Sequence, residues 1–188
     1  MRFDKLVNVI LEAVADVPPP PAIVRKAEDT KLTFDDIKDL IQTHEGVRPH
    51  VYLDSRGIPT VGIGFNLLRP DARDMLLRVN ANYDNIKNGT EDLNAQQIKK
   101  LFEMCMQIAY KDAKQYMPSF DNLPRNIKLG LLDMSFNLGY GRLSKFVKTK
   151  QFIASGDYRS AANELKTSKW ATQVGKRAEK IINLFLAS

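Results

Sequence analysis

Residues 43–66 read Thr43-His-Glu-Gly-Val-Arg-Pro-His-Val-Tyr-Leu-Asp-Ser-Arg-Gly-Ile-Pro-Thr-Val-Gly-Ile-Gly-Phe-Asn66, and the hydrophobic period changes inside them. Before this stretch the spacing is helical. Thr33 is suited to an N-cap with Asp36 in the capping-box position, Phe34, Ile37, Leu40 and Ile41 share one face, and Gly46 suits a C-terminal stop. Within it the pattern is that of a hairpin over Val51–Phe65, turning at Ser55-Arg56-Gly57, with Pro59 confining that region to an edge or a turn. Beyond Thr60 the period is two. Thr60, Gly62 and Gly64 are expected on one face, almost bare backbone, and Val61, Ile63 and Phe65 on the other, toward the core.

Downstream of Arg69 the helical spacing returns. Helices are expected over about Asp71–Val79, from Asn94 (with Gln97 completing a capping box) to Tyr116, from Pro124 to Gly139, and in shorter pieces from Ser144 to Leu186. Helices that follow a small sheet, without alternating with strands, indicate an α+β fold with a helical second lobe. Upstream, Phe3, Leu6, Val7, Ile10, Leu11 and Val14 mark a short amphipathic helix that ends at Pro18-Pro19-Pro20-Pro21. The expected organisation is therefore an N-terminal helix and proline-rich linker, 1–32, ahead of a main domain, 33–188. The N-terminal helix reads either as folded back on that domain or as a docking element for a partner.

Of 188 residues, 44% are hydrophobic and 27% charged, which suffices for one compact domain with a small appendage. A net charge of +6 and a pI near 9.4 favour anionic partners, among them nucleic acid, anionic lipid and the bacterial cell wall. Scattered Lys and Arg, with no aromatic-basic platform and no helix-turn-helix pattern, argue against nucleic acid. The lone Cys105 lies in an apolar helical run and excludes an intramolecular disulfide and a cysteine metal site. No apolar run approaches the ~18 residues of a membrane span. Ala13-Val14-Ala15 resembles a cleavage site, but the apolar run before it is too short for an export signal. His44 and His50 lack a patterned third ligand, so no metal or other cofactor is expected.

Three side chains in the opening stretch carry the chemistry. Glu45 lies at a helix C-terminus, where the partial negative charge of the terminal carbonyls favours the protonated acid. It reads as a general acid or as a solvated helix end. Asp54, beside the turn, reads as a carboxylate that stabilises developing positive charge, or as a turn aspartate bonding its own backbone. Thr60 reads as a hydroxyl that orients water, or as a residue that simply favours strands. Gly62 and Gly64 would let a sugar ring approach the backbone closely. A proton donor, a charge stabiliser and a water-holding hydroxyl around one groove are what hydrolysis of a glycosidic bond requires. Trp170, the single tryptophan, reads as an inter-helix anchor in preference to a sugar-stacking face.

The ordered pattern Glu45-x8-Asp54-x5-Thr60-Val-Gly-Ile-Gly64 resembles the catalytic signature of the phage-type lysozymes. Asp133-Met-Ser-Phe-Asn-Leu-Gly139 resembles that family's central helix, and Trp170-Ala-Thr-Gln-Val-Gly-Lys-Arg177-Ala178 resembles its C-terminal segment. The likeness runs from about Thr33 to Ala187. It implies a lysozyme-like fold in which a small β-hairpin lobe and a larger helical lobe flank an active-site cleft. It also implies an inverting muramidase that cuts the β-1,4 bond between N-acetylmuramic acid and N-acetylglucosamine in peptidoglycan. Carried over by position, Glu45 is the general acid, Asp54 the second carboxylate and Thr60 the water-positioning hydroxyl. Gly62, Gly64, Leu67, Phe136 and Asn137 are expected to bind substrate. Arg177 falls where the family pairs an arginine with the catalytic glutamate; such a neighbour lowers a carboxylate pKa, against the helix-end effect, so the net direction for Glu45 stays open. Phe65 stands where a familiar member has a histidine, a departure that touches stability more than chemistry.

The family reading implies a monomeric enzyme domain made in the host cytoplasm and released to the cell wall in the periplasm. The alternative is a virion- or assembly-associated lysozyme docked through residues 1–17 for local wall penetration.

Overall fold

The computed structural model describes residues 36–37, 40–41, 46–54 and 57–188. The expected N-terminal helix and linker, 1–32, and the general-acid candidate Glu45 lie outside the described residues. These fall into two compact units, one lying within Asp39–Ile108 and the other carrying Ala109–Ser188 together with residues 36–37.

The first unit holds a three-stranded antiparallel sheet, β1 (Arg48–Leu53), β2 (Pro59–Gly62) and β3 (Phe65–Asn66), in that spatial order. Tyr52 opposes Thr60 and Leu53 opposes Pro59 across β1–β2, and Thr60 opposes Asn66 and Val61 opposes Phe65 across β2–β3. The single period-two strand expected beyond Thr60 is therefore corrected. The chain reverses at Ile63-Gly64, with φ of 67° at Gly62 and 65° at Gly64, a left-handed region that glycine enters without steric cost. The apolar half of the expectation holds, since Val61, Ile63 and Phe65 are all buried. The other half does not: Thr60 and Gly62 are buried as well, and a Cβ at Gly62 would lie 3.8 Å from both Leu93 Cδ1 and Ile98 Cγ2.

Two short helices follow, α1 (Ala72–Arg78) and α2 (Tyr83–Asn88), then the long α3 (Ala95–Tyr116). The sequence reading placed no helix at α2. It forms because the Asn82 side chain accepts from the N–H groups of Asp84 and Asn85, Gly89 closes it at φ 72°, and Ile86 is its buried anchor. The expected box at the start of α3 is present and reciprocal: Asn94 N–H donates to Gln97 Oε1 (2.8 Å) and Gln97 N–H to Asn94 Oδ1 (2.9 Å).

The second unit packs the end of α3 with α4 (Arg125–Leu138), α5 (Tyr140–Leu143), α6 (Val147–Ala154), α7 (Tyr158–Lys166), α8 (Lys169–Val174) and α9 (Lys176–Leu186). Its core sets Ile127, Leu131 and Met134 of α4 with Ile153, Leu165, Ile181 and Phe185, all at most 1% exposed. α4 and α9 approach closely at Gly130. Asp157 caps α7 by accepting from Ser160 N–H (2.9 Å), and Ser168 caps α8 by accepting from Ala171 N–H (3.1 Å). Asp36, in a helical pair of residues upstream, forms an ion pair with Arg125 at the start of α4. A mostly helical chain with a small antiparallel sheet is the α+β class expected from the sequence.

Candidate active site

Two of the three candidate catalytic side chains bond the backbone of one residue, Ile58. At the β1–β2 turn, Asp54 N–H donates to Ile58 O (3.0 Å), and Gly57 N–H donates to Asp54 O (2.9 Å) with Gly57 at φ 74°. Asp54 Oδ1 accepts from Ile58 N–H (2.9 Å). The Thr60 hydroxyl donates to the carbonyl of that same residue, Ile58 (2.9 Å). Ile58 thus holds the Asp54 carboxylate with its N–H and the Thr60 hydroxyl with its C=O. Thr60 is only 3% exposed. Its proton is committed to a carbonyl, so the hydroxyl retains lone pairs alone, and a water bonded to it must donate. The carboxylate bonds backbone locally, as turn aspartates do, and that bond also fixes its direction.

The other positions in the first unit are placed as follows. Gly62 is buried against Leu93 and Ile98, and Gly64 is half-buried in the turn. Leu67 is fully buried; its N–H donates to Pro59 O (2.8 Å) and its carbonyl accepts from the Tyr83 hydroxyl (2.9 Å). Phe65 lies in the core with the Arg69 guanidinium 5.4 Å from its ring centroid, and Arg69 in turn pairs with Asp71 at 2.5 Å. His50 Nδ1 lies 2.6 Å from Asp92 Oδ1 in an exposed pair. Among the described residues no group of three or more His, Cys, Asp or Glu could hold a metal ion. Cys105 is 8% exposed, and burial pushes its thiol up to about 12, which makes it a packing residue with little thiolate character.

In the second unit Phe136 and Asn137 occupy the last turn of α4. Trp170 is 6% exposed, meets Phe146 edge-on at 6.0 Å, and donates its indole N–H to Asn137 Oδ1 (3.1 Å). Its reading as an anchor holds, with the addition that it holds a candidate substrate residue. Arg177, at the start of α9, donates from Nε to Asp133 Oδ1 at 2.6 Å, with side-chain exposures of 8% and 0%. Asp133 had no role assigned from sequence, although a lone acid inside Leu131-Leu132-Asp133-Met134 calls for a partner. The contribution of the Ile58 backbone left no sequence signal, because any residue supplies an N–H and a C=O.

A family model described as phage lysozyme matches residues 42–183. The chain belongs to the phage lysozyme family. It is a glycoside hydrolase of the lysozyme type, and its substrate class is the glycan of peptidoglycan. Among its relatives is probable T4-type lysozyme 2 of Dictyostelium discoideum, 27% identical over 157 residues that cover 79% of this chain and 92% of that protein. Probable T4-type lysozyme 1 of the same organism is 23% identical over the same shares. The pre-baseplate central spike protein Gp5 of enterobacteria phage T4 is 26% identical over 156 residues, 79% of this chain but 27% of Gp5. No helix among the described residues is long and apolar enough to cross a membrane.

Proposed function

We propose that this phage-type lysozyme hydrolyses the β-1,4 bond between N-acetylmuramic acid and N-acetylglucosamine with inversion, and that in doing so it lyses the wall of a bacterial host. In this reading Glu45 protonates the leaving sugar oxygen and Asp54 stabilises the oxocarbenium-like transition state. Thr60 accepts a hydrogen bond from the attacking water, which leaves that water's lone pair free for the anomeric carbon. By the family resemblance, Gly62, Gly64, Leu67, Phe136, Asn137 and Arg177 bind the substrate. The observation that carries the reading is the shared anchor: one residue, Ile58, orients the carboxylate of Asp54 through its N–H and the hydroxyl of Thr60 through its C=O. Two residues that merely favoured a turn and a strand would not need to be tied to each other.

The test is loss of turbidity by permeabilised Gram-negative cells. Wild type clears them and Glu45→Gln does not; equal clearing by both proteins rejects the assignment. Likeness to a segment of a central spike protein supports a second reading, in which the enzyme travels with the virion for local wall penetration. Purified virions that carry the protein would favour it; its presence only in the infected cytoplasm and periplasm would favour the free enzyme.

A further inference from the structure

We infer that Trp170 fixes the Asn137 amide so that its nitrogen is the hydrogen-bond donor presented to the glycan, and that the group it reads is a neutral acetamido carbonyl. The inference rests on the proposed place of Asn137 at the substrate and adds the chemistry it selects.

The indole of Trp170 fixes the orientation of the Asn137 amide. Its N–H donates and has no lone pair to accept with, so the amide atom facing it at 3.1 Å must be the oxygen. An asparagine free to turn over would offer a partner either its oxygen or its nitrogen. Here the indole takes one lone pair of the oxygen and fixes the amide's orientation, so the nitrogen keeps its place and both of its N–H groups are left to donate. Trp170 is poorly placed to let go: it is 6% exposed and packed edge-on against Phe146. The half-buried Asn137 has no other hydrogen-bonding partner among the described residues. An acceptor is therefore required of the substrate.

Peptidoglycan offers two strong kinds of acceptor, neutral amide carbonyls, which on the glycan strand itself are the acetamido groups, and the carboxylates of its peptides. Asn137 sits in the last turn of α4, where the helix carbonyls carry partial negative charge. That field disfavours a carboxylate and leaves a neutral carbonyl as the better partner. Trp170 is then a positioning residue, acting through Asn137.

The experiment exploits the single tryptophan, which gives one indole N–H signal in a nitrogen-correlated NMR spectrum. In a Glu45→Gln background, short peptide-free glycan chains of the natural N-acetylated type should shift that signal as they bind. Asn137→Asp keeps an oxygen for the indole but removes the donor. It should bind N-acetylated chains at least tenfold more weakly and de-N-acetylated chains, which carry ammonium groups, more tightly than its parent. In the protein that keeps Glu45, Trp170→Phe frees the amide to turn, and KM should rise about twofold to tenfold with kcat little changed, the scale of one neutral hydrogen bond. N-acetylated chains that bind Asn137→Asp as well as its parent overturn the inference and leave the lysozyme assignment standing. Failure of the parent to bind any N-acetylated chain overturns both.

Discussion

The Arg177–Asp133 pair separates a structural role from a catalytic one, because the two make opposite demands on a double substitution. Both side chains are out of water, at 8% and 0% exposure, with Nε 2.6 Å from Oδ1. Taking either side chain away breaks a buried ion pair, at a cost of about 3–5 kcal/mol. For a chain of this size about 2–4 °C of melting temperature goes with each kcal/mol, so Asp133→Leu or Arg177→Met should lower Tm by about 6–20 °C. Replacing both charges by hydrocarbon removes both desolvation penalties together. The double variant should therefore recover the larger part of that loss. Activity should not recover, because Arg177 is proposed to serve the substrate and methionine carries no guanidinium. The assay is thermal denaturation followed by Trp170 fluorescence, with cell clearing measured on the same samples. Losses that simply add in the double variant would refute the mutual-neutralisation argument. Full clearing by a folded double variant would remove Arg177 from the site.

Other outcomes follow from local geometry. A methyl group at Gly130 would meet Phe185 Cε1 at 2.5 Å and Ile181 Cγ2 at 3.2 Å, and both neighbours are fully buried. Gly130→Ala gains about 1 kcal/mol of helix propensity but overpacks at a cost of about 1–3 kcal/mol, so urea denaturation should show a net loss; a more stable variant would contradict the packing described. The Ser160 N–H holds the Asp157 carboxyl below its usual value. Its contribution is present above the ordinary carboxylate pKa of about 4 and is lost as pH falls through the lowered folded value, so Asp157→Asn should flatten the acid limb of stability between about pH 5 and 3; identical limbs would refute this. Cys105, with its thiol pushed up to about 12, should react with a neutral disulfide reagent at pH 8 only as the protein unfolds, and rapid modification of the folded protein would contradict its burial.

Features set by neighbours in sequence were the legible ones. The Asn94–Gln97 box, the β1–β2 turn and the helical run after Arg69 all follow from residues within a few positions of each other. The reversal at Ile63-Gly64 was missed because glycine at alternate positions satisfies a period-two pattern and a left-handed turn equally well. Helix α2 was missed because six residues with one buried apolar side chain, Ile86, leave no periodic trace; its caps make it. At the site, Asp54 and Thr60 were legible as residue types, but their tie through Ile58 is a backbone fact. The Arg177–Asp133 and Trp170–Asn137 bonds span 44 and 33 residues, and such pairings are decided by how α4, α8 and α9 pack. Resemblance marked Asn137 and Arg177 for the site and residue type marked Trp170 as an anchor, and only packing showed what holds them.

The central claim is that water, oriented by Thr60, completes the cleavage of the muramic acid linkage that Glu45 begins. Mass spectrometry of purified peptidoglycan digested by the wild-type protein tests it most directly. Products ending in reducing N-acetylmuramic acid, absent when Glu45→Gln is used, are the expected result. Products ending in the anhydro sugar would mean that no water attacks, and reducing N-acetylglucosamine ends would mean that a different bond is cut; either would contradict the mechanism.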